Sequence, residues 1–125
     1  VIHGTVENSI LSPDVVVEPG ALVKDSIVFE GAIIRENAVV QRTILDKAVY
    51  IGENSYVGCP LSEDPVAVPN QLNPGLLDCG LTVIGKSAMV PDEIIIGTNV
   101  LIYPDVSVAD FISQQVDDGT SIVPG

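Results

Sequence analysis

Aliphatic residues recur along the chain with a period of 17 positions, the most regular feature of its hydrophobic pattern. The phrases VENSIL, VKDSIV and VQRTIL begin at Val6, Val23 and Val40, and each opens a row of the same length. Within each row, large aliphatic residues lie five or six positions apart, and a small or β-branched residue precedes most of them by two. Two inward side chains separated by one outward side chain are typical of a short β-strand.

This periodicity predicts a particular solenoid. A fixed internal repeat with hexapeptide spacing indicates a parallel β-helix, in which each coil buries its apolar column against the next coil. An amphipathic helix would need apolar residues every three or four positions, and a sandwich or barrel would not explain the column-wise repeat. We therefore predict an all-β, single-stranded parallel β-helix in which Val28 points inward between Leu11 and Leu45.

The same pattern divides the chain, which we expect to be one domain. Coils are predicted over residues 4–58, and again over 82–108, where a spacing of six residues returns and ends at an inward Val108. Between them lies an excursion, residues 59–81, with four prolines and no alternation. Proline cannot donate to a strand ladder, so we expect this segment to be more mobile than the coils or ordered only against a neighbour. The tail, residues 109–125, is predicted to add one strand or to extend towards a partner.

Charge and composition exclude some classes of partner. Seventeen acidic residues against five basic ones give a net charge of −12, which would repel nucleic acid and anionic membranes. No apolar run approaches the roughly 18 residues of a membrane span. Cys59 and Cys79 form no disulfide framework and no signal peptide is present, which favours a cytoplasmic protein. We expect two unpaired thiols, with a redox bridge as the alternative. The chain starts without Met inside a repeat, so we expect a piece of a longer protein.

The outward positions of the strands are aliphatic, although a solenoid standing alone would carry polar residues there. β-Propensity alone offers one explanation, and contact with other subunits offers another. We predict a homo-oligomer that forms through one of these faces, first that of the three stacked isoleucines. The predicted interface columns are Ile10, Ile27 and Ile44; Val16, Ile33 and Tyr50; and Leu22, Val39 and Tyr56.

Few residues suggest a chemical site, and we predict no catalytic and no metal-binding residues. Arg35, Arg42 and Lys47 lie within thirteen positions and form a candidate site for an anionic metabolite effector. The alternative is that they pair with nearby acidic residues: Glu30, Glu36 and Asp46. A hexapeptide acyltransferase would need a catalytic histidine, but the single histidine, His3, is expected to be peripheral. One histidine also cannot form the zinc site of a β-helical carbonic anhydrase.

Two kinds of motif resemble known families. The hexads Ile51-Gly52-Glu53-Asn54-Ser55 and Ile96-Gly97-Thr98-Asn99-Val100 resemble the left-handed β-helix of hexapeptide-repeat proteins, and this resemblance supplies the expected handedness. Residues 6–54, with the phrases NSILSP, DS and TILDK in that order, resemble the C-terminal domain of glucose-1-phosphate adenylyltransferase. Residues 69–102 resemble the segment that follows in that family, where an Asn-containing loop leads into GLTVIGKSAMVP.

The resemblance implies a function that depends on the rest of a longer protein. In that family an N-terminal catalytic domain uses ATP and Mg²⁺ to convert glucose-1-phosphate into ADP-glucose and pyrophosphate, and the β-helix contributes to tetramer assembly and allosteric control. We therefore expect this chain to be inert alone, without a cofactor, and to contact its own N-terminal catalytic domain and further copies. The alternatives are the β-helix of another sugar-1-phosphate nucleotidyltransferase, that of an inactive paralogue, and a hexapeptide acyltransferase.

Overall fold

The chain winds through three parallel sheets that form the faces of a triangular prism, as seen in a computed structural model that describes residues 1–58, 70, 72 and 80–125. Each of the first four coils contributes one strand to sheet 1, then sheet 2, then sheet 3, and the last two contribute strands to sheets 1 and 2 only. Sheet 1 contains β1 (Thr5–Glu7), β4 (Leu22–Lys24), β7 (Val39–Gln41), β10 (Tyr56–Val57), β13 (Ile95–Ile96) and β15 (Gln115–Val116). Sheet 2 contains β2 (Ile10–Leu11), β5 (Ile27–Val28), β8 (Thr43–Leu45), β11 (Thr82–Ile84), β14 (Leu101–Ile102) and β16 (Ser121–Ile122). Sheet 3 contains β3 (Val16–Val17), β6 (Ile33–Ile34), β9 (Tyr50–Ile51) and β12 (Met89–Val90).

The prism is a left-handed parallel β-helix, as predicted. Its tight corners use left-handed backbone conformations, which Asn and Asp tolerate better than other residues with a Cβ. Asn8 and Asp25 occupy equivalent corner positions one coil apart, with φ angles of 47° and 51°. In the next coil the same position is occupied by Arg42, with a φ of 46°, instead of by Asn or Asp.

The predicted core columns are confirmed. Leu11, Val28 and Leu45 pair in register on sheet 2, and the side chain of Val28 is fully buried. Val6 and Leu11, which lie in the first of the described coils, are half-buried. The remaining fully buried aliphatic side chains come from all three sheets, so a single apolar column runs along the axis of the prism.

Small polar residues beside this core form a ladder of their own. The hydroxyl of Ser26 donates to the carbonyl of Lys24 at 2.8 Å and accepts the backbone N–H of Thr43 at 3.3 Å. In the same way, the Ser9 hydroxyl donates to the carbonyl of Glu7, and the Thr43 hydroxyl donates to the carbonyl of Gln41. At the first two turns from sheet 1 to sheet 2, the hydroxyls of Ser9 and Ser26 therefore each satisfy one backbone donor and one acceptor, which lets Ser26 be buried there.

The second block of coils stacks directly on the first. Thr82 lies opposite Thr43 on sheet 2, and Ile96 lies opposite Val57 on sheet 1. The predicted excursion therefore falls, in sequence, between a strand of sheet 1, β10, and a strand of sheet 2, β11. Its prolines and both cysteines, Cys59 and Cys79, lie outside the described residues.

The C-terminal part differs from the sequence prediction. Val108, expected inside, is 47% exposed and begins a 3₁₀ turn, Val108–Asp110, where another strand of sheet 3 was expected. The physical reason is local: the Asp110 carboxylate accepts the backbone N–H of Ser107 at 2.8 Å, which closes a turn instead of extending a ladder. Residues 109–125 then provide two strands rather than one, and both continue existing sheets.

Candidate functional site: outward faces and corners of the prism

Sheet 2 presents an uninterrupted aliphatic column to the outside. Ile10, Ile27 and Ile44 are stacked in register, as the repeat predicted. The column continues through Val83 and Leu101 and ends at Ser121. Ile10 is 66% exposed and Ile27 is 37% exposed. We call these five stacked aliphatic residues the sheet 2 ridge.

The other two faces are apolar over shorter stretches. On sheet 3 the outward column is Val16, Ile33, Tyr50 and Met89. On sheet 1 it is Leu22, Val39, Tyr56 and Ile95, bounded by Thr5 and Gln115. The sheet 2 ridge is thus the longest of the three outward aliphatic columns among the described residues.

Arg35 is the centre of an ion network at the corner between sheets 3 and 1. Its guanidinium donates to Glu18 at 2.6 Å, to the Tyr50 hydroxyl at 2.6 Å and to Glu53 at 2.9 Å. The hydrogen bonds to Glu18 and then to Tyr50 raise the pKa of Arg35 further above its ordinary value. Two carboxylates already neutralise this cation, so it is a poor anchor for an anionic ligand. The network also holds the polar tip of Tyr50, one of the predicted interface residues.

The predicted effector residues do not form one site. Arg35 follows β6, Arg42 lies between β7 and β8, and Lys47 lies between β8 and β9. Because consecutive strands belong to different sheets, these three cations occupy three different corners of the prism. In this fold, residues that are five to seven positions apart in one coil lie at different corners, so their side chains do not meet. The predicted cluster of Arg35, Arg42 and Lys47 is therefore wrong.

The alternative of ion pairing is partly confirmed. Lys47 lies 3.6 Å from Glu30, one of the acidic partners expected for it. Arg35 pairs instead with Glu18 and Glu53, which are one coil below and one coil above. Arg42 is exposed and makes no ion pair within the described part of the chain.

The structure stacks a different pair of cations. Lys47 and Lys86 occupy the same position of successive coils, and Ser87 donates its backbone N–H to the Lys47 carbonyl at 2.9 Å. The sequence contains a signal for this pair, since TILDKAVYI at residues 43–51 aligns position by position with TVIGKSAMV at residues 82–90. The excursion hides that alignment because it interrupts the period of 17.

The structure also shows where the one histidine of the chain lies. His3 is exposed in the first coil, and its backbone N–H donates to the carbonyl of Val17 at 2.8 Å. Across residues 1–58 and 80–125, no three His, Cys, Asp or Glu side chains are placed to hold a metal ion. No helix in the same part of the chain is long and apolar enough to cross a membrane.

Known proteins with similar sequences have one name in common. The chain is 38% identical over 124 residues to the glucose-1-phosphate adenylyltransferase of Acetivibrio thermocellus, a match that covers 99% of this chain and 28% of that protein. It is 45% identical over 117 residues to the enzyme of the same name from Thermomicrobium roseum, covering 94% of this chain and 22% of that protein. The chain thus spans about a quarter of the length of these relatives.

Solved structures support the fold. The acetyltransferase domain of PglB from Neisseria gonorrhoeae FA1090, in complex with acetyl coenzyme A, superposes with a TM-score of 0.66 at 18% identity, over 99% of this chain and 56% of that one. A second structure of the same domain superposes with a TM-score of 0.56 at 15% identity, over 98% of this chain and 58% of that one. At such identities the similarity concerns the fold alone.

A protein family also matches the sequence directly. Residues 1–70 match the family described as GlmU-like, C-terminal hexapeptide. The match begins in the first coil and covers all the coils before the excursion, including those with the repeated phrases. The chain therefore belongs to the GlmU-like C-terminal hexapeptide family.

Proposed function

We propose that this chain is the C-terminal regulatory and oligomerisation domain of a glucose-1-phosphate adenylyltransferase-like nucleotidyltransferase of glycogen or starch synthesis. The sequence relatives, which this chain matches over almost its whole length, support the parent activity. The observation that carries the oligomerisation role is the sheet 2 ridge, five stacked aliphatic side chains on one face. A flat apolar column of this kind suits a symmetric contact between identical subunits.

The energetics favour such a contact. Fully burying an exposed isoleucine side chain contributes about 1.5–3 kcal/mol. Ile10 is 66% exposed and Ile27 37%, so each residue of the ridge would contribute only part of that amount. The loss of translational and rotational freedom on association offsets much of this gain. A contact that includes the whole ridge is therefore needed, and we place Ile27 close to its centre.

We place catalysis in another part of the longer protein to which this chain would belong. ATP and Mg²⁺ would bind to an N-terminal catalytic domain, which this domain would contact, and the chain itself would need no cofactor. We assign the regulatory role to no particular residues, because the cations predicted to bind an effector, Arg35, Arg42 and Lys47, lie on separate corners of the prism. The acyltransferase alternative shares only the fold, and His3 lies exposed in the first coil.

Sedimentation of matched variants tests the interface. Ile27→Lys places a charge within the ridge, and we expect it to shift the chain from oligomer to monomer while circular dichroism still reports β-structure. Tyr56→Lys and Met89→Lys introduce the same charge at exposed apolar positions of sheets 1 and 3, and we expect both to leave the oligomer intact. An oligomer that survives Ile27→Lys and dissociates with one of the other two variants would move the interface to that face.

A coupled pyrophosphate assay tests the catalytic assignment. We expect the 125-residue chain to release no pyrophosphate from ATP and glucose-1-phosphate, and a longer protein that contains this chain to release it. Pyrophosphate release by the purified chain alone would contradict the assignment of catalysis to another domain. If the longer protein is inactive with glucose-1-phosphate but active with another sugar-1-phosphate, the chain would instead be the β-helix of another sugar-1-phosphate nucleotidyltransferase.

A further inference from the structure

The last coil presents strand edges that have no neighbour. β15 and β16 pair with β13 and β14 below them, and no strand of the described residues pairs with their opposite edges. Leu101 donates its backbone N–H to the carbonyl of Thr120 at 3.1 Å, and Tyr103 donates in the same way to Ile122 at 2.9 Å. Alternate residues of a strand direct their backbone groups to opposite neighbours. The N–H and carbonyl of Ser121, between Thr120 and Ile122, therefore point to the free edge of β16.

A groove with aliphatic walls lies along this edge, and we call it the terminal groove. It has a volume of about 420 Å³, and Ser121 is one of its lining residues. Val116 and Ile122 line it from the two strands, whereas Ile112 and Val123 line it from the segments before and after them. Ile112 is 99% exposed, and Val123 is exposed as well. Neighbouring aliphatic side chains left in water at a groove are typical of a site that another molecule covers.

The charge at this end of the prism has one sign. Asp110 and Asp117 line the terminal groove, and neither forms an ion pair within the described residues. Residues 87–125 include no lysine, arginine or histidine, and their acidic residues are Asp92, Glu93, Asp105, Asp110, Asp117 and Asp118. A second copy of this end would therefore be repelled, whereas a segment that carries Lys or Arg would be attracted.

We propose that the terminal groove binds an extended segment of a partner protein in which basic and aliphatic residues alternate, and that this segment adds one strand to the free edge of β16. Its backbone hydrogen-bonds to Ser121. Its inward aliphatic side chain packs on Ile122, as Ile122 itself packs on the core below. Its Lys or Arg side chains meet Asp110 and Asp117. In such strand addition the main-chain bonds supply affinity and the alternate side chains supply specificity.

A designed peptide tests the recognition. The probe is a fluorescent heptapeptide of alternating Lys and Val with blocked ends, the Lys–Val peptide, and its affinity for the whole chain is measured by fluorescence anisotropy. We expect it to bind and to slow the exchange of the Ser121 amide proton, followed by NMR, while the amides of β6 do not change. Two control peptides should bind at least roughly tenfold more weakly: one with the same residues grouped by type, and one with Glu in place of Lys. Equal affinity for either control peptide overturns the proposal.

Matched variants of the chain locate the contact. Val123→Lys places a cation in the terminal groove, and we expect it to weaken binding of the Lys–Val peptide by roughly tenfold. Val108→Lys makes the same change of charge at a similarly exposed valine that does not line the groove, and it should alter the affinity by less than about twofold. Ile27→Lys should leave the affinity unchanged, so the result does not depend on the proposed subunit contact through the sheet 2 ridge.

Three results would contradict this binding site. Equal weakening by Val123→Lys and Val108→Lys would show attraction by net charge alone. No binding of the Lys–Val peptide at millimolar concentration would show that the groove does not accept a basic strand. If the peptide does not bind and Val123→Lys converts an oligomer of the chain into monomers, the end of the prism is a contact between copies instead.

Discussion

At the scale of single residues, the alternation of inward and outward positions governs the effect of a substitution. Val28 is fully buried, and Glu30, two residues later, is exposed at a corner. Val28→Asp would bury a carboxylate without a partner, so we expect the free energy of unfolding to fall by several kcal/mol. Denaturant unfolding followed by circular dichroism measures this loss.

Glu30→Gln is the companion variant. It removes only the exposed pair with Lys47, whose closest nitrogen–oxygen distance is 3.6 Å. Exposed pairs of this kind contribute little, and we expect a change below about 0.5 kcal/mol. Equal losses in the two variants would mean that the inward and outward sets are exchanged, because a slip of one residue reverses the faces of a strand.

At the scale of elements, the 3₁₀ turn Val108–Asp110 depends on one carboxylate. Backbone N–H groups of Ser107 and Gly125 donate to Asp110, and these hydrogen bonds hold the pKa of its carboxyl below the ordinary value. A lowered pKa in the folded state means that the ionised group contributes stability above about pH 4, the usual pKa of an aspartate. This contribution is lost as the pH falls through the lowered value.

The pH dependence of Asp110→Asn tests that contribution. We expect the variant to melt below the parent chain at pH 7, and the difference in melting temperature to shrink as the pH falls below about 4. Glu36→Gln, at an exposed carboxylate with no hydrogen bond in the described part of the chain, is the matched control. A difference for Asp110→Asn that stays constant from pH 7 to pH 2.5 would show that the charge of this carboxylate is not what holds the turn.

At the scale of the whole molecule, charge and apolar surface oppose each other. A net charge of −12 repels identical copies, whereas the sheet 2 ridge favours their association. Salt screens the repulsion, with a screening length of about 10 Å at 0.1 M, and leaves apolar burial largely intact. We therefore expect the dissociation constant measured by sedimentation to decrease as sodium chloride rises from 0.02 to 0.3 M. Association that weakens with salt would indicate an interface held by ion pairs instead.

Much of the architecture was predictable because strand geometry is local. Side chains alternate across a strand, so the repeat at Val6, Val23 and Val40 specified the inward columns without knowledge of any contact. The same alternation identified the outward isoleucines of the sheet 2 ridge. The prediction was wrong at Val108, where hydrogen bonds to Asp110 close a turn that hydrophobic spacing alone does not reveal.

Tertiary structure decided which polar groups meet. Three sheets send neighbouring residues of one coil to different corners, so Arg35, Arg42 and Lys47 are separate, whereas Lys47 and Lys86 are stacked across the excursion. Asn70 is a stronger case: it is fully buried, three of its hydrogen-bond partners, Asn99, Thr120 and Ser121, lie 29 to 51 residues away, and nothing in the local sequence marks it as buried. The sequence by itself thus determined the direction of each strand side chain, which depends on the nearest residues. Only the fold decided the partners of the polar groups, because those depend on the register between coils.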